Sequence, residues 1–319
     1  MWPAAVAVAT GLMTCLVTRA LVPILAHREI LDRPNERSSH RVPTPRGGGI
    51  AVIGSILLAW VVLARTESVP SGVFGIALGA VLLAAVSWLD DLRGLSPVVR
   101  LLSQAAAVAI GIFVLTGPRE LFYLAAIGLV WIWWINLFNF MDGIDGLAGS
   151  EAAAIGAGLL LFASVGSGAD PALQALAAAV VGAAIGFLVW NWSPARVFLG
   201  DVGSVPLGYF LGFLLLSLAV RGHWRIALIL PLYFLADATI TLTRRLLRGE
   251  RVWQAHREHF YQQGVRRGLG HAAVVERVIA ADLVLIGCGW ASENGWSATA
   301  LAASAATVAI LLTVLARGS

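Results

Sequence analysis

Leu129–Gly149 reads LVWIWWINLFNFMDGIDGLAG, and this stretch decides what kind of molecule the chain is. Its first seven residues close an apolar run that approaches the ~20 residues needed to cross ~30 Å of hydrocarbon. From Asn136 onward two amides (Asn136, Asn139) and two carboxylates (Asp142, Asp145) recur at every third position. At that spacing polar groups share one side of a helix, and Gly143, Gly146 and Gly149 loosen the backbone that follows. Carboxylates at the end of a bilayer-length segment are costly there and mark ion or substrate chemistry. The plainer reading is a solvated loop joining two helices. The rest of the chain decides between them.

Composition settles the environment. Of 319 residues, 59% are hydrophobic and 13% charged, with a mean hydropathy of +0.83. A soluble fold of this length would lack the charge to cover its surface. The net charge of +4 does not indicate nucleic acid, because the arginines sit between apolar runs, where membrane orientation explains them. The two cysteines, Cys15 and Cys288, fall inside such runs and form no zinc or disulfide pattern. The N-terminus lacks the charged region of a cleaved signal peptide, so residues 2–26 read as a retained first span.

Apolar stretches at roughly 3–26, 48–64, 71–89, 98–116, 121–139, 147–166, 171–191, 204–220, 224–247, 273–291 and 297–316 predict an all-α integral membrane bundle of about eleven transmembrane helices. No linker or repeat marks a second domain, so residues 1–319 read as one unit. Arginine crowds the loop after the first span (Arg28, Arg33, Arg37, Arg41, Arg46) and the loop after the ninth (Arg248, Arg251, Arg257, Arg266, Arg267). The positive-inside rule then puts the N-terminus outside and the C-terminus in the cytoplasm. Alternation along the chain brings every polar cluster to the cytoplasmic face. A shared site there is the natural expectation.

Four further clusters join Asn136–Gly149. Asp90-Asp91 ends the third span, where adjacent like charges need a cation or an arginine; Arg93 is the nearest in sequence. Asp201, in FLGDVGS at 198–204, is either a ligand or the N-cap of the next helix. His256-Arg257-Glu258-His259 suits phosphate contact, or a solvated surface helix, and is not a zinc motif. Gly47-Gly48-Gly49 after Arg46 opens a span and could offer its N–H groups to an anion, or serve as a flexible entry. Carboxylates, amides and arginines gathered at one membrane face suit magnesium-assisted phosphoryl transfer to a lipid acceptor. A transporter or lipid flippase is the rival, but its acids belong at the midplane between repeats, and here they end helices on one face.

Asp90-Asp91, N-x-x-N-x-x-D-G-I-D-G-L at 136–147, F-L-G-D-x-G-S at 198–204 and the late H-x-x-H occur in this order. In that set, spread over about 32–271, the chain resembles the polyprenyl-phosphate N-acetylhexosamine-1-phosphate transferases, relatives of phospho-N-acetylmuramoyl-pentapeptide transferase. The resemblance implies transfer of a sugar-1-phosphate from a UDP-N-acetylhexosamine to undecaprenyl phosphate, with release of UMP, at the cytoplasmic face of a bacterial inner membrane. It implies Mg2+, with Mn2+ as its substitute, held by Asn139 and Asp201. Asp90 would activate the lipid phosphate, with Asp91 beside it, and Asp142 and Asp145 would shape the nucleotide and metal surroundings. Asn136, Asn191, Phe198, His256, Arg257, His259 and Arg46 would contact substrate, Phe198 by stacking on uracil. Homodimers are the family precedent. The late loop reads H-R-E-H in place of three histidines, which is more similar to enzymes that begin O-antigen or other surface glycans than to the peptidoglycan enzyme. Asp237, inside the ninth span, has no assigned role, and pairing with a neighbouring helix is one reading of it.

Overall fold

Chains immersed in hydrocarbon must satisfy their backbone hydrogen bonds internally, and runs of Leu, Val, Ala and Ile do so by coiling into helices. The computed structural model describes residues 3–34, 42–66, 68–165, 169–251 and 256–318. Its first half contains α1 (Pro3–His27), α2 (Gly49–Arg65), α3 (Val73–Arg93), α4 (Pro97–Thr116), α5 (Leu121–Phe140) and α6 (Leu147–Ser164). Its second half contains α7 (Pro171–Asn191), α8 (Asp201–Val220), α9 (Trp224–Ile229), α10 (Leu232–Leu247), α11 (Phe260–Arg266), α12 (His271–Glu293) and α13 (Ser297–Arg317). A short antiparallel ribbon pairs β1 (Leu31–Asp32) with β2 (Thr44–Pro45). Among the described residues, eight helices (α1, α3 to α8 and α13) are long and apolar enough to cross a membrane. The protein is an all-α, multi-pass membrane protein. Residues 35–41, with Arg37 and Arg41, and residues 252–255 of the late loop lie outside the described residues.

Three of the eleven expected spans are not among these eight helices: 48–64 is the 17-residue α2, 273–291 falls in α12, and 224–247 is divided. The stretch 224–247 is two helices, α9 and α10, because Pro231 sits between them. Proline has no N–H to donate and its ring crowds the preceding turn, so the helix stops and restarts.

Burial follows position in the bundle. Helix α8 is buried along most of its length and packs against α2, α3, α4, α5, α6 and α9. Its neighbour α5 donates two indole N–H groups to it, Trp131 to the Tyr209 carbonyl at 3.1 Å and Trp134 to the Gly208 carbonyl at 2.9 Å. A buried indole needs such a partner, and these two fix how α5 sits on α8. Helices α1 and α7 meet through small residues: a Cβ on Gly182 would run into the Ala7 carbonyl, and one on Gly186 into the Gly11 carbonyl. Gly182 and Gly186 form the small-xxx-small spacing that lets membrane helices approach closely where no hydrophobic effect drives them together. Large apolar side chains left bare on the outside, such as Leu12, Leu16, Phe113 and Leu129, match a lipid surround.

Candidate active site

The polar clusters meet at one end of the bundle because each ends or begins a helix there. The organising contact is Asp91, in the last turn of α3. Helix α8 starts after Gly200, which has no side chain to cap it, and the exposed N–H groups of a helix start need an acceptor. Asp91 supplies it from another helix, accepting the Asp201 N–H at 3.2 Å and the Val202 N–H at 3.0 Å. Arg46 Nη2 lies 2.5 Å from Asp91 Oδ1 and 3.1 Å from Asp201 Oδ1, bridging the two acids. Asp201 is therefore the first residue of α8 and not its cap.

The glycine run beside Arg46 does something other than expected. The Gly47 and Gly48 N–H groups donate to the Phe198 carbonyl at 3.2 and 2.9 Å, and Gly49 donates to the Leu199 carbonyl at 2.9 Å. Those donors are taken by the chain itself and do not cradle an anion. The Phe198 N–H completes the seam by donating to the Pro45 carbonyl at 2.8 Å. A Cβ on Gly49 would overlap Gly203, so these glycines allow α2 and α8 to start against each other.

A cleft opens between α3, α4, α5 and the start of α8, lined by Asp90, Arg100, Gln104, Asn136, Asn139 and Asp201 among others. Asp90 accepts the Leu95 N–H at 2.5 Å and pairs with Arg100 Nη1 at 3.2 Å. The partners of the acid pair are thus Arg46 for Asp91 and Arg100 for Asp90, not Arg93. Ser204 donates to Asn139 Oδ1 at 2.5 Å, which turns that amide toward the α8 start. Asn136 Nδ2 donates to Gln104 Oε1 at 2.7 Å, and Gln104 Nε2 returns a bond at 3.3 Å, so this amide pair ties α5 to α4. Arg100 and Gln104 were missed by the motif reading. Each had a signal: an arginine in the first turn of an apolar helix opposes the helix dipole, and an amide within a span is costly.

Asp142 and Asp145 part company. Asp142 stays close to the acid cluster. Burial first, then the Asp201 charge, push its carboxyl well above the usual carboxylate range despite Arg46. Asp145 instead holds the loop before α8: its Oδ2 accepts the Ala195 N–H at 3.2 Å and lies 3.2 Å from His271 Nδ1. Burial works against its ionisation, but the hydrogen bond and charge of His271, together with hydrogen bonds from the Ala195 N–H and the Ser193 side chain, outweigh that and hold the carboxyl below its ordinary value. Asn191 does similar work, accepting the Gly146 N–H at 3.0 Å and donating to the Val197 carbonyl at 2.9 Å. Its amide is consumed by backbone on both sides.

The late loop is anchored by the acid that had no role. Buried Asp237, in α10, accepts the Phe260 N–H at 3.0 Å and the Tyr261 N–H at 3.1 Å, capping α11. His259 Nδ1 lies 3.1 Å from the same carboxylate, and the Tyr233 and Thr241 hydroxyls complete its shell. Tyr261 then donates to the Phe140 carbonyl at 3.1 Å, bringing α11 against the end of α5. The His256 ring stands 4.8 Å from that of His259. Burial, with His259 and Arg245 nearby, pushes His256 down to about 4. None of His256, Arg257 and His259 lines the cleft of Asp90 and Asp201, and Arg257 lines a second cleft instead. Among the described residues, no group of three or more His, Cys, Asp or Glu stands close enough to hold a metal.

Two measurements check this geometry. Asp237→Ala strips the cap from α11, so trypsin should cut the protein at Arg257 faster than wild type; equal rates would contradict the anchoring role. For His256, the folded value near 4 lies below the ~6.5 of an exposed histidine. Between those values the unfolded chain binds the extra proton, so stability should rise with pH across that window. Thermal unfolding of His256→Gln should show a flatter slope there.

The sequence matches known proteins along most of its length. The model of glycosyl transferase family 4 covers residues 73–219, which takes in the acid pair, the cleft and the α8 start. A probable undecaprenyl-phosphate N-acetylglucosaminyl 1-phosphate transferase of Bacillus subtilis is 28% identical over 284 residues, 83% of this chain and 78% of that one. Phospho-N-acetylmuramoyl-pentapeptide-transferase of Thermosynechococcus vestitus is 30% identical over 257 residues, covering 72% of this chain and 67% of its own. The Kocuria rhizophila enzyme of the same name is 29% identical over 355 residues, 87% and 93% of the two chains. With its acids and amides gathered at one end of a membrane bundle, the chain belongs to glycosyl transferase family 4 and is a phosphosugar transferase.

Proposed function

We propose that the protein transfers an N-acetylhexosamine-1-phosphate from a UDP-sugar to undecaprenyl phosphate at the cytoplasmic face of a bacterial inner membrane. The single observation that supports this most is the convergence of Asp90, Arg100, Asn139 and Asp201 on one cleft beside a lipid-exposed helix. Leu101, apolar and exposed on α4, borders the same cleft, so an acceptor's isoprenoid chain can lie along α4 while its phosphate reaches Arg100. In the reaction an oxygen of the acceptor phosphate forms a bond to the sugar-bearing phosphorus of the donor. The bond from that phosphorus to the bridging oxygen breaks, and UMP leaves with that oxygen.

Each group has work to do. Arg100 pairs with the acceptor phosphate and sets it beside Asp90, which takes up a proton the acceptor carries. Asp201 and Asn139 offer a carboxylate and an amide oxygen, hard donors that suit Mg2+ or Mn2+. Magnesium commonly takes one or two protein carboxylates and completes its shell with water and substrate phosphates. When bound, the ion neutralises the diphosphate charge. Arg46 adds a forked donor at the same place. Asp91 acts as a positioning residue, and Asn191 and Asp145 hold the loop on which Phe198 stacks uracil. Asp142 shapes the surroundings of Asp201, and Asn136 orients the α5 face. His256, Arg257 and His259 do not line this cleft and take no substrate contact in this reading; His259 holds the late loop through Asp237.

The likeness to the B. subtilis transferase and the H-R-E-H loop favour an N-acetylglucosamine-type donor and the start of a surface glycan such as O-antigen. The activity is tested with purified protein, Mg2+, undecaprenyl phosphate and a panel of labelled UDP-sugars that includes UDP-N-acetylmuramoyl-pentapeptide. A UDP-N-acetylhexosamine should give lipid-linked product and UMP. Product with the pentapeptide donor alone would assign the peptidoglycan reaction, and no product with any donor would overturn the proposal. Asp90→Asn and Asp201→Asn should each lower turnover by about 10²- to 10⁴-fold in folded protein. Arg100→Gln should raise the KM for the lipid far more than that for the sugar nucleotide.

A further inference from the structure

The late loop carries more arginine than the catalytic cleft uses. Thr241 and Arg244 of α10, and Arg248 just after its end, follow one another at three- and four-residue spacing. Opposite them stand Gln263, Arg266 and Arg267 at the end of α11, and together with Arg257 and Glu258 they line an open cleft. Tyr261, which reaches toward the catalytic end of α5, lies two residues before Gln263, about 200° around the helix. The second cleft is therefore on the far side of α11, and it shares no lining residue with the first.

Its charge is unbalanced. Five arginines line it against one acid, Glu258; Arg245 holds that acid at 3.0 Å together with Arg248, and Arg248 also pairs with Glu250 at 2.9 Å. Among the described residues no carboxylate pairs with Arg244 or Arg266, and Arg244 lies over the Phe260 ring at 5.2 Å. Guanidinium groups gathered in this way suit phosphate oxygens, which they can bind in pairs.

The same helix end carries a second signal. Leu246 and Leu247 are 64% and 83% exposed, directly between the arginines of α10 and the polar loop. Bare leucines beside arginines are unfavourable in water. At a bilayer interface they fit, with leucine entering the acyl region and arginine held at the headgroup level.

We infer that this cleft binds the phosphate headgroup of an anionic phospholipid in the surrounding leaflet, apart from the acceptor lipid. Arginines near a membrane surface each add about fivefold to anionic-lipid binding, so removing two should weaken it about 25-fold. The test titrates detergent-solubilised full-length protein with phosphatidylglycerol, phosphatidylcholine and inorganic phosphate, read by thermophoresis. Wild type should bind phosphatidylglycerol and neither of the others. The double variant Arg244→Gln/Arg266→Gln should bind it about 25-fold more weakly, whereas Arg65→Gln/Arg119→Gln, at the other end of the bundle, should bind it as wild type does. Equal binding by wild type and the first variant would overturn the inference, as would inorganic phosphate or phosphatidylcholine matching phosphatidylglycerol. Undecaprenyl phosphate displacing phosphatidylglycerol at its own transfer KM would overturn it too, because the cleft would then be the acceptor site.

Discussion

A carboxylate from one helix capping the start of another is the interaction on which the site depends. Asp91 accepts two N–H groups at the head of α8 while Arg46 braces it from the loop before α2. Hydrogen bonds to an ionised acceptor contribute more than neutral ones, about 1.5–3 kcal/mol each, and here they join segments more than a hundred residues apart. The glycine seam between 47–49 and 198–199 closes the same junction by backbone bonding. Once α8 is placed, Asp201 at its first position faces Asn139 and Asp90 across the cleft. The chemistry thus rests on helix ends that are fixed to one another and not on a flexible loop.

The late loop follows the same logic with a different acid. Asp237 is buried in α10, and its carboxylate gathers two backbone N–H groups, a histidine and two hydroxyls. Removing the acid would orphan all of them, which explains an intramembrane carboxylate that does not line the cleft of Asp90 and Asp201. Asp145 and Asn191 do comparable work for the loop before α8. Several acids and amides at this end therefore serve to hold loops in place, and a smaller set faces the cleft.

Much of this was legible in the chain itself. Apolar length and arginine-rich breaks announce a helical membrane bundle, and the spacing of Asn136, Asn139 and Asp142 marks the end of α5 as a chemical surface. Asp90, Asn139 and Asp201 do share a cleft. What the spacing could not tell was the long-range partner of each group. Asp91 looked equivalent to Asp90 because they are adjacent, yet successive helix residues point about 100° apart and only one of them reaches the cleft. The glycines read as an anion cradle or a flexible entry because they begin a helix, and nothing local reveals that Phe198 and Leu199 take their N–H donors. Asp237 and Arg100 had only their cost within apolar segments to give them away. Pro231 was visible, but its break was hidden inside a continuous apolar run.

The central proposal is a division of labour within the acid pair, in which Asp91 builds the donor and metal surface through α8 and Asp90 serves the acceptor. Calorimetry of Mg2+-dependent UDP-N-acetylglucosamine binding by Asp90→Asn and Asp91→Asn, each compared with wild type, tests it most directly. The account predicts wild-type binding by Asp90→Asn and loss of Mg2+-dependent binding by Asp91→Asn. Normal binding by Asp91→Asn, or loss of binding confined to Asp90→Asn, would contradict it.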